Sequence, residues 1–260
     1  MITGIAAGVP FVALEPASGD TAPMIAVWHL MDPPCTDVAM AAAVPMTGLD
    51  AWRVYFGLPM TGRRSLPGGL EELYQRAFED AVLNCYEPQT EQAAAEFPAA
   101  LADLRSQLSI ADGPVGVAGG SAGGLVALEV TARAEVPIFA SAFINPVTQL
   151  APVVAANERR FDVTFGWNDQ NRAVAGRYDF VRRADEIRTP SLFVIGEDDD
   201  VAIREPAALA QKEIGAELVL IPGMRHTLAD APGLEPAPQN ENARRVDAEL
   251  VRWFSKYLPG

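Results

Sequence analysis

Five consecutive small residues, Gly119-Gly120-Ser121-Ala122-Gly123, fit the pattern G-x-S-x-G. An apolar run at 115–118 leads into them, and a helical pattern with Leu125, Leu128 and Ala132 follows directly. A strand that turns abruptly into a helix strains its corner residue, and small neighbours let the chain fold back tightly. The serine hydroxyl then projects above the sheet edge. The Ala122 amide points into the same space from a helix N-terminus, where negative charge is favoured. A serine hydroxyl is a weak nucleophile at neutral pH and needs a base. Of the two histidines, His29 and His226, the second follows the last apolar strand pattern, in Leu220-Ile221-Pro222-Gly223-Met224-Arg225-His226. Between serine and histidine, Phe193-Val194-Ile195-Gly196 runs into the acidic loop Glu197-Asp198-Asp199-Asp200, which can supply a carboxylate to orient the imidazole. The chemistry such a set performs is acyl transfer.

Rival uses of the glycines fail on spacing. A dinucleotide loop needs G-x-G-x-x-G, and Ala118, Ser121 and Ala122 stand where glycines would be required. A phosphate loop needs Lys-Ser/Thr after its glycines, and Leu125-Val126 follow here. The plain alternatives are a Gly/Ser turn without chemistry, a solvated acidic loop and a surface histidine.

The positioning elements read as short β-rich runs alternating with helical patterns. Strands are expected at 9–14, 24–30, 52–56, 115–118, 137–143, 191–195 and 217–221. Uniformly apolar runs such as 192–195 suit strands buried on both faces. One helix is expected over 90–107, with Phe97, Leu101, Leu104 and Leu108 along one face, Thr90 as its cap and Pro98 kinking it or delaying its start. Another spans 240–257, with Val246, Leu250, Phe254 and Leu258 in line. The alternation predicts an α/β fold with a mostly parallel, doubly wound sheet and helices on both faces. Such sheets place their sites at strand C-terminal ends, which puts nucleophile, base and acid on one rim. Residues 145–187 are least regular, with Phe161, Phe165 and Trp167 among polar neighbours, and suggest a small lid or helical excursion within one domain, 1–260.

Composition narrows the function classes. The chain has 260 residues, 49% of them apolar, so a large core is available. Its net charge of −14 argues against nucleic-acid binding. No apolar run reaches the roughly 18 residues of a membrane span. The first basic residue is Arg53 and Pro10 interrupts the apolar N-terminal stretch, so no signal peptide is expected and a cytoplasmic location is. Cys35 and Cys85, with two histidines, do not form a zinc pattern.

At these residues the sequence resembles the α/β-hydrolase superfamily, most closely its small serine esterases and the catalytic domain of prolyl-oligopeptidase-like proteins. The matching stretches are Gly119 to Gly124, Asn145-Pro146-Val147-Thr148, Ile187-Arg188-Thr189-Pro190-Ser191, Gly196 to Val201, and Pro222-Gly223 to His226. The resemblance implies the α/β-hydrolase fold and a Ser121–His226–Asp199 triad, because the family's acid lies three residues after the strand-end glycine. It also implies oxyanion-hole N–H groups on Ala122 and Met31, with Leu30 the neighbouring candidate and standing where the family usually has glycine. His29 then serves as a structural hydrogen-bonding residue. No cofactor and no metal is implied.

The expected activity is cleavage of a small-molecule carboxylic ester through an acyl-enzyme. A small peptidase or amidase of the prolyl-oligopeptidase-like group is the alternative, and an inactive ligand-binding homologue is the alternative from another class. A propeller of four to eight blades at about 40–45 residues each does not fit beside a hydrolase domain within this chain. Residues 31–44, with Leu58-Pro59-Met60, are candidates for an apolar acyl pocket, with core packing as the plain alternative. Oligomeric state is not specified by the sequence.

Overall fold

The computed structural model describes residues 1–259. Eight strands form one sheet: β1 (Ile2–Ala6), β2 (Val9–Leu14), β3 (Met24–Trp28), β4 (Trp52–Phe56), β5 (Val115–Gly120), β6 (Ile138–Ile144), β7 (Ser191–Gly196) and β8 (Glu217–Ile221). Eight α-helices accompany them: α1 (Asp37–Ala43), α2 (Gly69–Ala81), α3 (Glu87–Gln107), α4 (Ser121–Arg133), α5 (Leu150–Phe161), α6 (Asp169–Arg177), α7 (Val201–Ile214) and α8 (Glu241–Tyr257). The spatial strand order is β1-β2-β4-β3-β5-β6-β7-β8. β2 is antiparallel to both its neighbours, and every pairing from β4 to β8 is parallel.

Burial explains which strands the sequence revealed. β3, β4, β5 and β7 are buried along their whole length, and their apolar runs reflect a sheet covered on both faces. The edge strands β1 and β8 alternate between inward and outward residues. One face packs against α3, α4 and α7, the other against α1 and α8. The helix of 240–257 begins one residue later, with the Asn240 side chain accepting from the Ala243 N–H as its cap.

Several expected boundaries move. β1 was not anticipated. The strand expected at 24–30 ends at Trp28, because the chain turns there and the Leu30 N–H bonds the Pro34 carbonyl. β5 runs on to Gly120 and β7 to Gly196, while the 137–143 strand is shifted to Ile138–Ile144. The 90–107 helix starts at Glu87, and Thr90 lies buried inside it rather than capping it. α2 breaks at Asp80, whose backbone is extended and whose carboxylate accepts the Val82 and Leu83 N–H groups at 3.0 and 2.9 Å. Asp80 and not Thr90 therefore caps the π-turn Val82–Tyr86 that runs on into α3. Pro98 sits within α3 without ending it, in a stretch whose Phe97, Leu101 and Leu104 are buried.

Residues 145–187 hold α5, α6 and a 3-10 turn, Ala184–Glu186. Tyr178 and Phe180 are core residues, whereas Phe161 and Val163 are exposed. Glu129 of α4 is buried between Arg133 and Arg183, and its bonds of 2.9 and 2.7 Å tie this segment to the helix that follows β5.

The topology creates one special position. From β3 the chain steps outward to β4, then returns to place β5 on the other flank of β3. At that reversal the connections leaving the two strands diverge, and it is at such strand ends that open α/β sheets place their sites. Ser121 leaves β5 there, and His29 to Met31 leave β3 beside it.

Candidate active site

Ser121 has φ of +51° at the junction of β5 and α4, a left-handed backbone that costs a non-glycine residue on the order of 1–3 kcal/mol. The fold supports it with close backbone approach. A Cβ on Gly123 would lie 2.3 Å from the His29 carbonyl oxygen and 2.5 Å from that of Trp28, so no side chain fits there. A Cβ on Gly120 would meet Leu30 Cδ1 at 2.5 Å. Leu30 is fully buried and occupies the space that Gly120 leaves.

The three side chains singled out in the sequence converge. Nε2 of His226 is 2.8 Å from Ser121 Oγ, and its Nδ1 is 2.9 and 3.1 Å from the two carboxylate oxygens of Asp199. Ser121 and Asp199 are buried, and the imidazole is about one-fifth exposed. The acidic loop divides its work. Asp199 turns inward and accepts the Asp200 N–H at 2.7 Å, Asp200 caps α7 by accepting from the Ala202 N–H, and Asp198 is exposed.

Two further groups were not visible as site residues. Asn145 ends β6 with φ of +41° and is fully buried. Its side-chain amide donates to the carbonyls of Arg225 and His226 at 3.0 and 3.2 Å, and its Oδ1 accepts the Gly196 N–H at 2.8 Å. It thereby pins the imidazole loop and the end of the acid strand to the same strand end. The signal available was an asparagine before proline at a strand terminus, since Asn tolerates this backbone. The second is Asp32, whose Oδ2 is 3.8 Å from His226 Nε2.

The loops after β3 and β8 are joined. The Leu228 N–H bonds the Pro33 carbonyl, the Cys35 N–H bonds that of Gly233, and Thr36 Oγ1 donates to that of Leu234. Cys35 Sγ donates to Pro232 and Gly233 carbonyls, and burial raises its thiol pKa, so it stays protonated. Of the proposed oxyanion donors, the Ala122 N–H lies in the first turn of α4, where backbone donors lack helical partners. The Leu30 N–H is already committed to Pro34, whereas Met31, half-buried, makes no backbone hydrogen bond among the described residues. The expected acyl-pocket segment is mostly core instead. Residues 37–43 form α1, with Met40, Ala41 and Val44 packed on the sheet and Leu58 buried on its other side, leaving Met31 and Met60 partly exposed.

His29 is held neutral. Its Nε2 accepts the Leu58 N–H at 3.0 Å and its Nδ1–H donates to the Leu30 carbonyl at 2.6 Å. Burial lowers its pKa to about 4, against smaller upward pulls from the Leu30 bond and Asp37. A depressed histidine adds stability above its unfolded pKa of 6.5 and loses it as pH falls towards 4. The expected loss is about 3 kcal/mol, at ~1.4 kcal/mol per pKa unit. Urea midpoints at pH 7 and pH 4.5 check this: the drop should be smaller in His29→Gln.

Neither a protein-family model nor a curated protein sequence matches the chain. Solved structures do. Est1E of Butyrivibrio proteoclasticus, solved with ferulic acid bound, superposes with a TM-score of 0.64 at 15% identity, over 99% of both chains. A predicted CIB-like hydrolase of Thermoplasma acidophilum gives 0.60 at 13% identity, over 98% of this chain and 97% of the other. The chain has the α/β-hydrolase fold. Pyrococcus horikoshii acylaminoacyl peptidase shares that fold at a TM-score of 0.62 and 13% identity over 96% of this chain. The chain spans 40% of that peptidase's length. Among the described residues no helix is long and apolar enough to cross a membrane, and no group of side chains suits a metal ion.

Proposed function

We propose that the protein is a serine hydrolase that cleaves carboxylic esters through an acyl-enzyme. The observation that carries this reading is the unbroken chain of contacts from Ser121 Oγ through His226 to Asp199, at 2.8 and 2.9 Å, beneath a strained serine. In the first step His226 Nε2 takes the hydroxyl proton while Oγ bonds to the acyl carbon. The developing oxyanion is held by the Ala122 and Met31 amides. Nε2–H then passes its proton to the departing alkoxide, leaving the acyl group on Ser121. Water, deprotonated by the same nitrogen, repeats the sequence and frees the acid. Asp199 keeps the proton on Nδ1, so that Nε2 is the acceptor. Amide cleavage by the same groups is the second reading, which the likeness to an acylaminoacyl peptidase favours.

Labelling by a fluorophosphonate, with turnover of p-nitrophenyl esters of graded acyl length and of aminoacyl anilides, tests both readings. Esterase action predicts labelling and ester turnover well above anilide turnover. No labelling and no turnover of any member would leave a ligand-binding homologue.

The pH profile follows from the site's charges. Burial pulls the His226 pKa down, but the hydrogen bond and charge of Asp199, with the charges of Asp32 and Asp200, outweigh it and raise the pKa above 6.5. Nε2 must be unprotonated to act as base, so the acidic limb of kcat/KM is displaced upward. A pH–rate profile should show a midpoint above 6.5, and one below that value would contradict the electrostatics described.

A further inference from the structure

Asp32 adds its charge to the field that raises the His226 pKa but transfers no proton in the steps above, and it stands beside their central atom. It follows Met31 in the loop after β3, and its half-exposed carboxylate lies 3.8 Å from His226 Nε2, the ring nitrogen that faces Ser121 Oγ. Among the described residues no lysine or arginine pairs with it, and its side chain accepts no hydrogen bond. The imidazole does not need it for orientation, because Asp199 and the Asn145 clamp fix the ring and its loop.

For a neutral substrate a lone carboxylate at this point acts both ways, favouring the imidazolium and opposing the oxyanion. The proposed oxyanion forms against the amide of the preceding residue, so two negative charges are brought close together. A positive charge carried by the substrate reverses that balance. A half-exposed carboxylate without a cationic partner suits an alkylammonium group. The net charge of −14 favours approach of cations over anions.

We propose that Asp32 is a specificity-determining residue that receives an alkylammonium group, so that the preferred substrates are esters bearing a positive charge close to the scissile carbonyl. The proposal rests on the serine-hydrolase reading. The charge can sit on either side of the bond, and two substrate pairs separate the cases. Acetylthiocholine and its uncharged carbon isostere, 3,3-dimethylbutyl thioacetate, probe the leaving group. The p-nitrophenyl esters of 4-(trimethylammonio)butanoate and of 5,5-dimethylhexanoate probe the acyl side.

In the unmodified protein, kcat/KM for the cationic member of at least one pair should exceed that of its isostere by about tenfold, the pair energy being discounted for half exposure. The ratio should fall as salt is added, and in Asp32→Asn it should approach one. Fluorophosphonate labelling of the unmodified protein runs alongside. Labelling and turnover with no cation preference in either pair would overturn the role of Asp32 alone, as would a preference that Asp32→Asn retains. Neither labelling nor turnover would overturn the hydrolase reading and the proposal with it.

Discussion

Ser121→Ala is expected to reduce ester turnover by about 10⁶-fold and to abolish phosphonate labelling, because no other hydroxyl meets the imidazole at bonding distance. Alanine suits the small, tight corner and removes only the oxygen, so the fold should persist. Circular dichroism and the thermal midpoint check that. Groups acting as one unit lose their value together. Ser121→Ala combined with His226→Ala should therefore be little worse than either change alone. A single variant that keeps burst kinetics would remove Ser121 from the mechanism.

Asp199→Asn should lower kcat by about 10⁴-fold while leaving stability nearly intact. The cause lies in which oxygen is already engaged. Oδ1 of Asp199 accepts the Asp200 N–H at 2.7 Å, so an asparagine placed there keeps its oxygen on that donor. Its NH₂ group then takes the place of Oδ2, which is 2.9 Å from Nδ1 of His226. Facing a donor, Nδ1 must give up its proton, and the proton moves to Nε2. Nε2 then points a hydrogen at Ser121 and cannot accept one. Steady-state kinetics with a p-nitrophenyl ester measure the loss, and a decrease under tenfold would show that the tautomer is not held by Asp199.

What the sequence disclosed was set by local demands. The Gly119 to Gly123 corner is legible because its strain and crowding are satisfied by residues adjacent in the chain. β3, β4, β5 and β7 are legible because burial on both faces leaves no polar positions to obscure the pattern. α8 announces itself through its apolar stripe and the Asn240 cap. Residues whose significance depends on distant partners were hidden. Asn145 gains its role from carbonyls 80 and 81 positions away, and the proline after it marks only a strand end, not those partners. Asp32 is one acid among many until β3 and β8 bring it to His226. Thr90 has the composition of a cap, but the helical path starts earlier, at the π-turn, where the Asp80 carboxylate already takes the free N–H groups of Val82 and Leu83. The Met- and Ala-rich stretch after β3 suits a pocket and a buried helix equally in composition, and packing of α1 on the sheet decides in favour of the helix.

The bonds from Cys35 and Thr36 to Gly233 and Leu234 join positions 198 apart in the chain. All of these bonds end on main-chain carbonyls, so the path of one loop, rather than its side chains, holds the other in place. A chimaera that swaps in a foreign carboxy-terminal half would bring its own imidazole but strand it without a mooring on the resident amino-terminal segment. A graft across this architecture keeps the mooring only where the incoming loop presents carbonyls in the same places.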